Sequence, residues 1–224
     1  MTNVFSCGEG TIDAADLDHD GDLDIVLTEE ETCPGGEAHI FIFRNDGNQN
    51  FVRMPDINLP GRLPHGLALA EVTGDSNIDI ITVLSDGMGV FPGNGNLTFG
   101  APIIEYYARP SNLRWPTLIG DGLLDVGMIM QQPSFGTDSI GTALGNGNGT
   151  FQAVRTQTGS SVFENLRISN DLEPGDVNGD GTPDLIVFNY ASNDVSVFHR
   201  KSGRQPAPAS ALRHRQHAHS WDPG

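Results

Sequence analysis

Apolar residues fall in short runs, and the strongest runs each follow an acidic stretch. Ile25-Val26-Leu27 follows Asp16 to Asp24, Ile80-Ile81-Thr82-Val83 follows Glu71 to Asp79, and Leu185-Ile186-Val187-Phe188 follows Asp176 to Asp184. Runs of this length, bounded by Gly, Asn and Asp, read as buried strands. Further β-type runs lie at His39 to Phe43, Leu67 to Ala70, Gly89 to Phe91, Thr142 to Leu144 and Val195 to Phe198. Three of them lead into turns rich in Asn and Gly, at Asn45 to Phe51, Gly93 to Gly100 and Gly145 to Phe151. Asn-Gly pairs between β-type runs predict hairpins, and the Phe after each turn returns the chain to the core. No stretch reads as a long helix, so the pattern predicts an all-β fold.

The acidic stretches repeat. Asp16-Leu17-Asp18-His19-Asp20-Gly21-Asp22-Leu23-Asp24 and Asp176-Val177-Asn178-Gly179-Asp180-Gly181-Thr182-Pro183-Asp184 agree position for position. A weaker copy, Glu71-Val72-Thr73-Gly74-Asp75-Ser76-Asn77-Ile78-Asp79, keeps Glu71, Thr73, Asp75 and Asp79 but has Ser76 at the turn glycine. A fourth is eroded to Asp121, Gly122 and Asp125. The copies start at residues 16, 71, 117 and 176, spaced by 55, 46 and 59 residues. That spacing suits blades of four-stranded sheets. The predicted architecture is a β-propeller-like array of four such blades forming an incomplete ring. The first unit lacks an obvious entering strand and the last lacks a final one. Open blade edges of this kind favour self-association.

Five carboxylates within nine residues repel one another unless solvent or a cation neutralises them. Side-chain oxygens at alternate positions followed by a glycine describe a tight loop suited to a hard cation such as calcium. The candidate ligands are Asp16, Asp18, Asp20, the carbonyl of Asp22, and Asp24. In the last copy they are Asp176, Asn178, Asp180, the carbonyl of Thr182, and Asp184. Glu71, Thr73, Asp75 and Asp79 form a weaker set. An EF-hand would need Glu at the twelfth position, where Leu27 stands, and a helix on each side. A solvated acidic turn without an ion is the competing reading of any single copy.

These residues carry a resemblance to the FG-GAP and VCBS repeat family, the calcium-loop repeats of integrin alpha-subunit β-propellers and of many secreted bacterial proteins. Its pattern Asp-x-Asp/Asn-x-Asp-Gly-x-x-Asp is met by Asp16, Asp18, Asp20, Gly21 and Asp24, and by Asp176, Asn178, Asp180, Gly181 and Asp184. Gly145 to Phe151 is similar to the family's Gly-Asn-Gly-x-Gly-Thr-Phe turn. The resemblance spans about residues 10–199. It implies a calcium-stabilised module for extracellular or cell-surface binding or adhesion. Family propellers usually have seven blades, so about four here imply a partial one.

Charge sharpens the partner question. The chain has 224 residues and a net charge of -17, with 12 basic and 29 acidic groups. Five of the basic groups follow residue 199, where Asp222 is the one acid. The body is therefore strongly anionic, which disfavours nucleic acid and anionic membranes and favours cations. No apolar run reaches the length of a membrane span, and Met1 to Ser6 lacks the features of a secretory signal. Residues 1–199 are read as the repeat region and 200–224 as a basic, disordered tail. That tail holds a His cluster (His214, His217, His219) of weak metal-binding character. Cys7 and Cys33 flank the first acidic loop; a disulfide and two buried thiols both remain open.

A protein or glycan ligand is expected, and its identity is not written in the residues. A lectin reading would rest on exposed aromatics beside Asn or Asp, with Tyr106, Tyr107, Trp115 and Tyr190 as candidates. An enzymatic reading finds little support. The paired carboxylates are better explained as ligands, no nucleophile-elbow pattern is present, and His19, His39 and His65 are isolated. Arg109, Arg114 and Trp115 read as packing residues before a ligand patch.

Overall fold

The computed structural model describes residues 10–29, 38–48, 50–107, 110–114, 122–130, 139–158, 168–189, 194–199 and 210–212. Cys7, Cys33, Arg109, Trp115, Asp121, Tyr190 and the His cluster of the tail lie outside them. The described residues form an all-β structure of four small antiparallel sheets in chain order.

The first sheet orders β1 (Ile12–Ala15), β2 (Asp24–Thr28), β3 (Ala38–Asn45) and β4 (Phe51–Arg53), with β5 (Ile57–Leu59) also paired to β3. The second orders β6 (Pro64–Ala70), β7 (Asp79–Leu84), β8 (Gly87–Phe91) and β9 (Ile103–Tyr106). The third orders β10 (Pro110–Arg114), β11 (Val126–Met130), β12 (Ser139–Ala143) and β13 (Arg155–Thr158). The fourth orders β14 (Ile168–Gly175), β15 (Asp184–Asn189), β16 (Asp194–Phe198) and β17 (Ser210–Leu212). In every sheet the acidic loop joins the first strand to the second.

Alternation along the second strand of each sheet sends side chains to two neighbours. Ile80 and Leu84 of β7 join Val26, Ile40 and Ile42 of the first sheet in one core. Ile81 and Val83 of the same strand face the third sheet and pack with Val126 and Met128. Ile129 and Ile140 then pack on Leu172, Leu185 and Val187 of the fourth. Each such side chain is almost fully buried, and burial of this kind contributes about 1.5–3 kcal/mol per residue. A sheet thus has two apolar faces because it is sandwiched between others. This explains the nearly continuous apolar runs.

Three expectations need correction. Phe51, expected to return the chain to the core after its turn, is exposed. The first sheet does have an entering strand: β1 pairs Ile12 with Leu27 through Ala15 with Asp24. Its sequence, Ile-Asp-Ala-Ala, is weakly β-forming, so it is held by backbone pairing at an edge rather than by propensity. The fourth sheet also gains a last strand, because Ser210–Leu212 pairs with Val195–Val197 of β16. Three residues of the stretch read as a tail therefore belong to a sheet.

Candidate metal centre and its surroundings

The acidic loop depends on two left-handed backbone positions. The sixth loop residue has φ of +93° at Gly21, +72° at Ser76, +85° at Gly122 and +80° at Gly181. Ser76 therefore keeps the turn that its residue type disfavours. The fourth residue is also left-handed, at His19 (+64°), Gly74 (+82°) and Gly179 (+77°).

In the first loop one oxygen each of Asp16, Asp18 and Asp24 lies within 4.8 Å of the others. Asp20 and Gly21 donate their backbone N–H groups to Asp16, and Asp22 donates to Asp20. The Oδ1 atom of Asp18 is buried and accepts no hydrogen bond. An orphaned carboxylate oxygen beside two further carboxylates is a donor set that fits a hard divalent cation. Asp20, expected as a ligand, stands outside this cluster and serves its own loop. Burial is the main cause that pushes the Asp24 carboxyl above its ordinary range, followed among raising causes by Asp18 and Asp20. A cation would reverse that pressure.

The last loop has the same internal bonding. Asp176 accepts N–H groups from Gly179, Asp180 and Gly181, Asn178 accepts from Asp180, and Asp180 accepts from the Thr182 backbone and hydroxyl. The bond from the Thr182 hydroxyl, then that from its N–H, holds Asp180 below the usual carboxylate range. In the second loop Gly74 donates to Glu71 and Asn77 to Asp75. Among the described residues only the first loop gathers three carboxylates.

The ninth-position aspartate has a role that sequence reasoning missed. Asp24, Asp79, Asp125 and Asp184 are all at 0% exposure. Asp24 accepts the N–H of Leu17 at 3.0 Å and of Asn45 at 2.9 Å. Asp79 accepts from Val72 at 2.8 Å, Thr73 at 3.1 Å and Gly93 at 2.8 Å. Asp125 accepts from Gly145 at 3.0 Å, and Asp184 from Val177 at 3.3 Å. In the first two sheets this carboxylate ties the start of the loop to the exit of the third strand.

The loops also meet their neighbours. Nε2 of His19 lies 3.1 Å from Oδ1 of Asn77, across the first and second sheets. At the next junction Gly74 stands where His19 stood, beside a cleft of about 60 Å³ lined by Glu71, Gly74, Leu123, Gly147 and Phe151. A Cβ on Gly74 would come within 2.7 Å of the Gly147 carbonyl.

A second cluster lies at the opposite end of the second sheet. Tyr106 is 68% exposed. The Nη2 of Arg62 donates to its hydroxyl at 3.2 Å, and Nε of Arg62 contacts both oxygens of Asp86 at 3.2 and 3.1 Å. Tyr107, the neighbouring candidate, is turned inward; burial first, then its bond to Glu105, raises its hydroxyl far above the ordinary range. Arg62 and Asp86 were not legible as partners of Tyr106, because 44 and 20 residues separate them from it.

No curated protein matches the chain significantly. Among solved structures, a lectin of Agrocybe aegerita, described for specific recognition of non-reducing terminal N-acetylglucosamine, matches 88% of this chain at 25% identity with a TM-score of 0.58. The chain spans 50% of that lectin's length. No helix of the described residues is long and apolar enough to cross a membrane. Residues 16–82 and 118–187, more than half of the chain, match the FG-GAP-like repeat model, and the chain belongs to that family.

Proposed function

We propose that the chain is a carbohydrate-binding module, built as part of a β-propeller and stabilised by calcium in its acidic loops. The observation that carries this reading is the likeness to the Agrocybe aegerita lectin over 88% of the chain. An adhesion module that binds protein partners would use the same scaffold; the lectin likeness favours the glycan. Recognition of a terminal N-acetylglucosamine is the first specificity to try.

The propeller reading is supported by the packing order. The first strands of the four sheets lie against one another in series, β1 on β6, β6 on β10, and β10 on β14, as inner strands do around a ring. Calcium is supported by the three clustered carboxylates and the orphaned oxygen of Asp18. Asp16, Asp18 and Asp24 would hold the ion in the first loop, with Asp20 and the Asp22 carbonyl near enough in sequence to join. The equivalent set in the last loop is Asp176, Asn178, Asp180, Thr182 and Asp184. The ion would supply charge neutralisation to a loop joining two strands, which is a structural task. The location is outside the cell or on its surface, with residues 1–199 as the repeat region and residues 200–224, apart from Ser210–Leu212, as a tail.

The test is a glycan array probed with the full chain in calcium and in chelator. Binding to glycans ending in N-acetylglucosamine is expected. A folded, calcium-loaded chain that binds no glycan and captures none on a mannose, galactose or glucosamine column would overturn the reading.

A further inference from the structure

The cleft beside Gly74 is too small to take a sugar ring, since ligand pockets run to about 300 Å³ or more. The exposed ring of Tyr106 offers a different kind of site. We infer that Tyr106, Arg62 and Asp86 form a docking platform for a neutral saccharide, at the end of the second sheet opposite its acidic loop. The inference rests on the carbohydrate-binding reading above and assigns it a site.

Each member of the platform is fixed by backbone bonds. Arg62 follows the turn after β5, where its N–H donates to the Leu59 carbonyl. Ser85 and Asp86 form the tip between β7 and β8; the Ser85 N–H donates to the Leu63 carbonyl, and the Ser85 hydroxyl accepts the Leu63 N–H at 3.3 Å. The Asp86 carbonyl in turn accepts the Tyr107 N–H. Tyr106 sits at the end of β9 directly opposite Gly87. A Cβ on Gly87 would lie 2.0 Å from the Glu105 carbonyl oxygen and 3.0 Å from the Tyr106 Cα. Only glycine lets the two strands meet there, and that close approach sets the ring's position. Three segments converge on one surface spot, and the aromatic ring at its centre is exposed, with the Arg62 guanidinium over one of its faces.

The chemistry suits a pyranose. A sugar ring has an apolar face of C–H groups, which stacks on an exposed aromatic ring, and a rim of hydroxyls that both donate and accept. Asp86 is 42% exposed at its side chain and accepts. The guanidinium of Arg62 uses Nε on Asp86 and Nη2 on Tyr106, and it lies 6.0 Å from the centre of the tyrosine ring. Its remaining N–H groups are donors for hydroxyls or for an acetamide carbonyl. Charge argues for a neutral ligand. Asp86 already balances Arg62, and the body around them is anionic, so an acidic sugar would have to displace Asp86 to reach the cation.

The experiment measures the affinity of the full chain for methyl N-acetylglucosaminide and chitotriose by calorimetry, after a neutral-glycan array has identified any better probe. Parent, Tyr106→Ala, Tyr106→Phe, Asp86→Asn and, as an exposed-ring control, Phe51→Ala are compared. Tyr106→Ala is expected to weaken binding by about tenfold, a loss typical of a stacked ring. Tyr106→Phe should retain most of the affinity, and Phe51→Ala should match the parent. Asp86→Asn should weaken neutral sugars and improve sialylated ones. Tyr106 is exposed, so its variants keep the parent's melting temperature, which is checked alongside. Full affinity in Tyr106→Ala, with a binding parent, overturns this site and leaves the carbohydrate reading standing. A parent that binds no glycan overturns both.

Discussion

Four aspartates at one repeat position, Asp24, Asp79, Asp125 and Asp184, are fully buried. Asp24 and Asp79 accept N–H groups from residues seven before them and from residues 21 and 14 after them. From sequence, this residue is expected as the last oxygen of a cation loop. Its second set of partners is not, because Asn45 and Gly93 reach it only once the hairpin has folded back. The distinction has a measurable result. Asp79→Ala leaves buried N–H groups without acceptors, each costing about 1–3 kcal/mol. Urea unfolding in chelator should show it destabilised by about 2–4 kcal/mol, whereas Asp20→Ala under the same conditions changes little. Equal losses for the two variants would mean that the ninth aspartate is only a ligand. A second residue-scale consequence concerns Ser76, exposed and at φ +72°. Ser76→Gly removes the clash of a Cβ in a left-handed turn and should raise stability by about 1 kcal/mol, read as a higher melting temperature with or without calcium.

At the scale of the element, the acidic loop and the second strand were legible together, since charge, glycine and an apolar run follow one another without a gap. So were the Asn-Gly turns. What stayed hidden was β1, β5 and β17, which are short; β1 and β17 sit at edges and are held by backbone pairing that leaves no mark in side-chain pattern, and β5 gives only Ile57 and Leu59 to the core. The junctions between sheets were hidden too. His19 and Gly74 occupy one loop position, yet the first bridges to Asn77 and the second lies close against the Gly147 carbonyl. The loops predict a graded response to calcium. Asp18→Ala removes a buried oxygen that has no hydrogen-bond partner, and Asp180→Ala removes a central oxygen of the last loop. Calorimetric titration should show a lost site in each, and thermal melting a smaller gain on adding calcium. Replacing Asp121, in a loop that has lost most of its oxygens, should leave the titration unchanged. The gain should also depend on pH. Burial raises the folded-state values of Asp24 and Asp79, so in chelator these groups favour the folded state as pH falls from neutral towards the ordinary aspartate range. Calcium needs the ionised form. The melting-temperature difference between calcium and chelator should therefore shrink across that same window.

For the whole molecule, the two candidate sites lie at opposite ends of the sheets. β7 leaves the acidic loop at Asp79 and ends at Leu84, beside the tip that carries Asp86, while β9 runs the same way and ends at Tyr106. Six residues of strand separate the ends by about 20 Å. That exceeds the screening length of about 8 Å at physiological ionic strength, so an ion in the loop exerts little direct force at Tyr106. Calcium then acts on glycan binding only through the population of folded chain. Two regimes follow. Well below the melting temperature in chelator, removing calcium should leave the affinity for chitotriose within about twofold of the loaded value, because nearly all chains are folded in both conditions. Near that melting temperature, the apparent affinity should fall in step with the unfolded fraction measured by circular dichroism. A sugar held by the ion itself would behave otherwise. Its affinity would vanish in chelator at every temperature, and Asp18→Ala, remote from Tyr106, would abolish binding in a chain that is still folded.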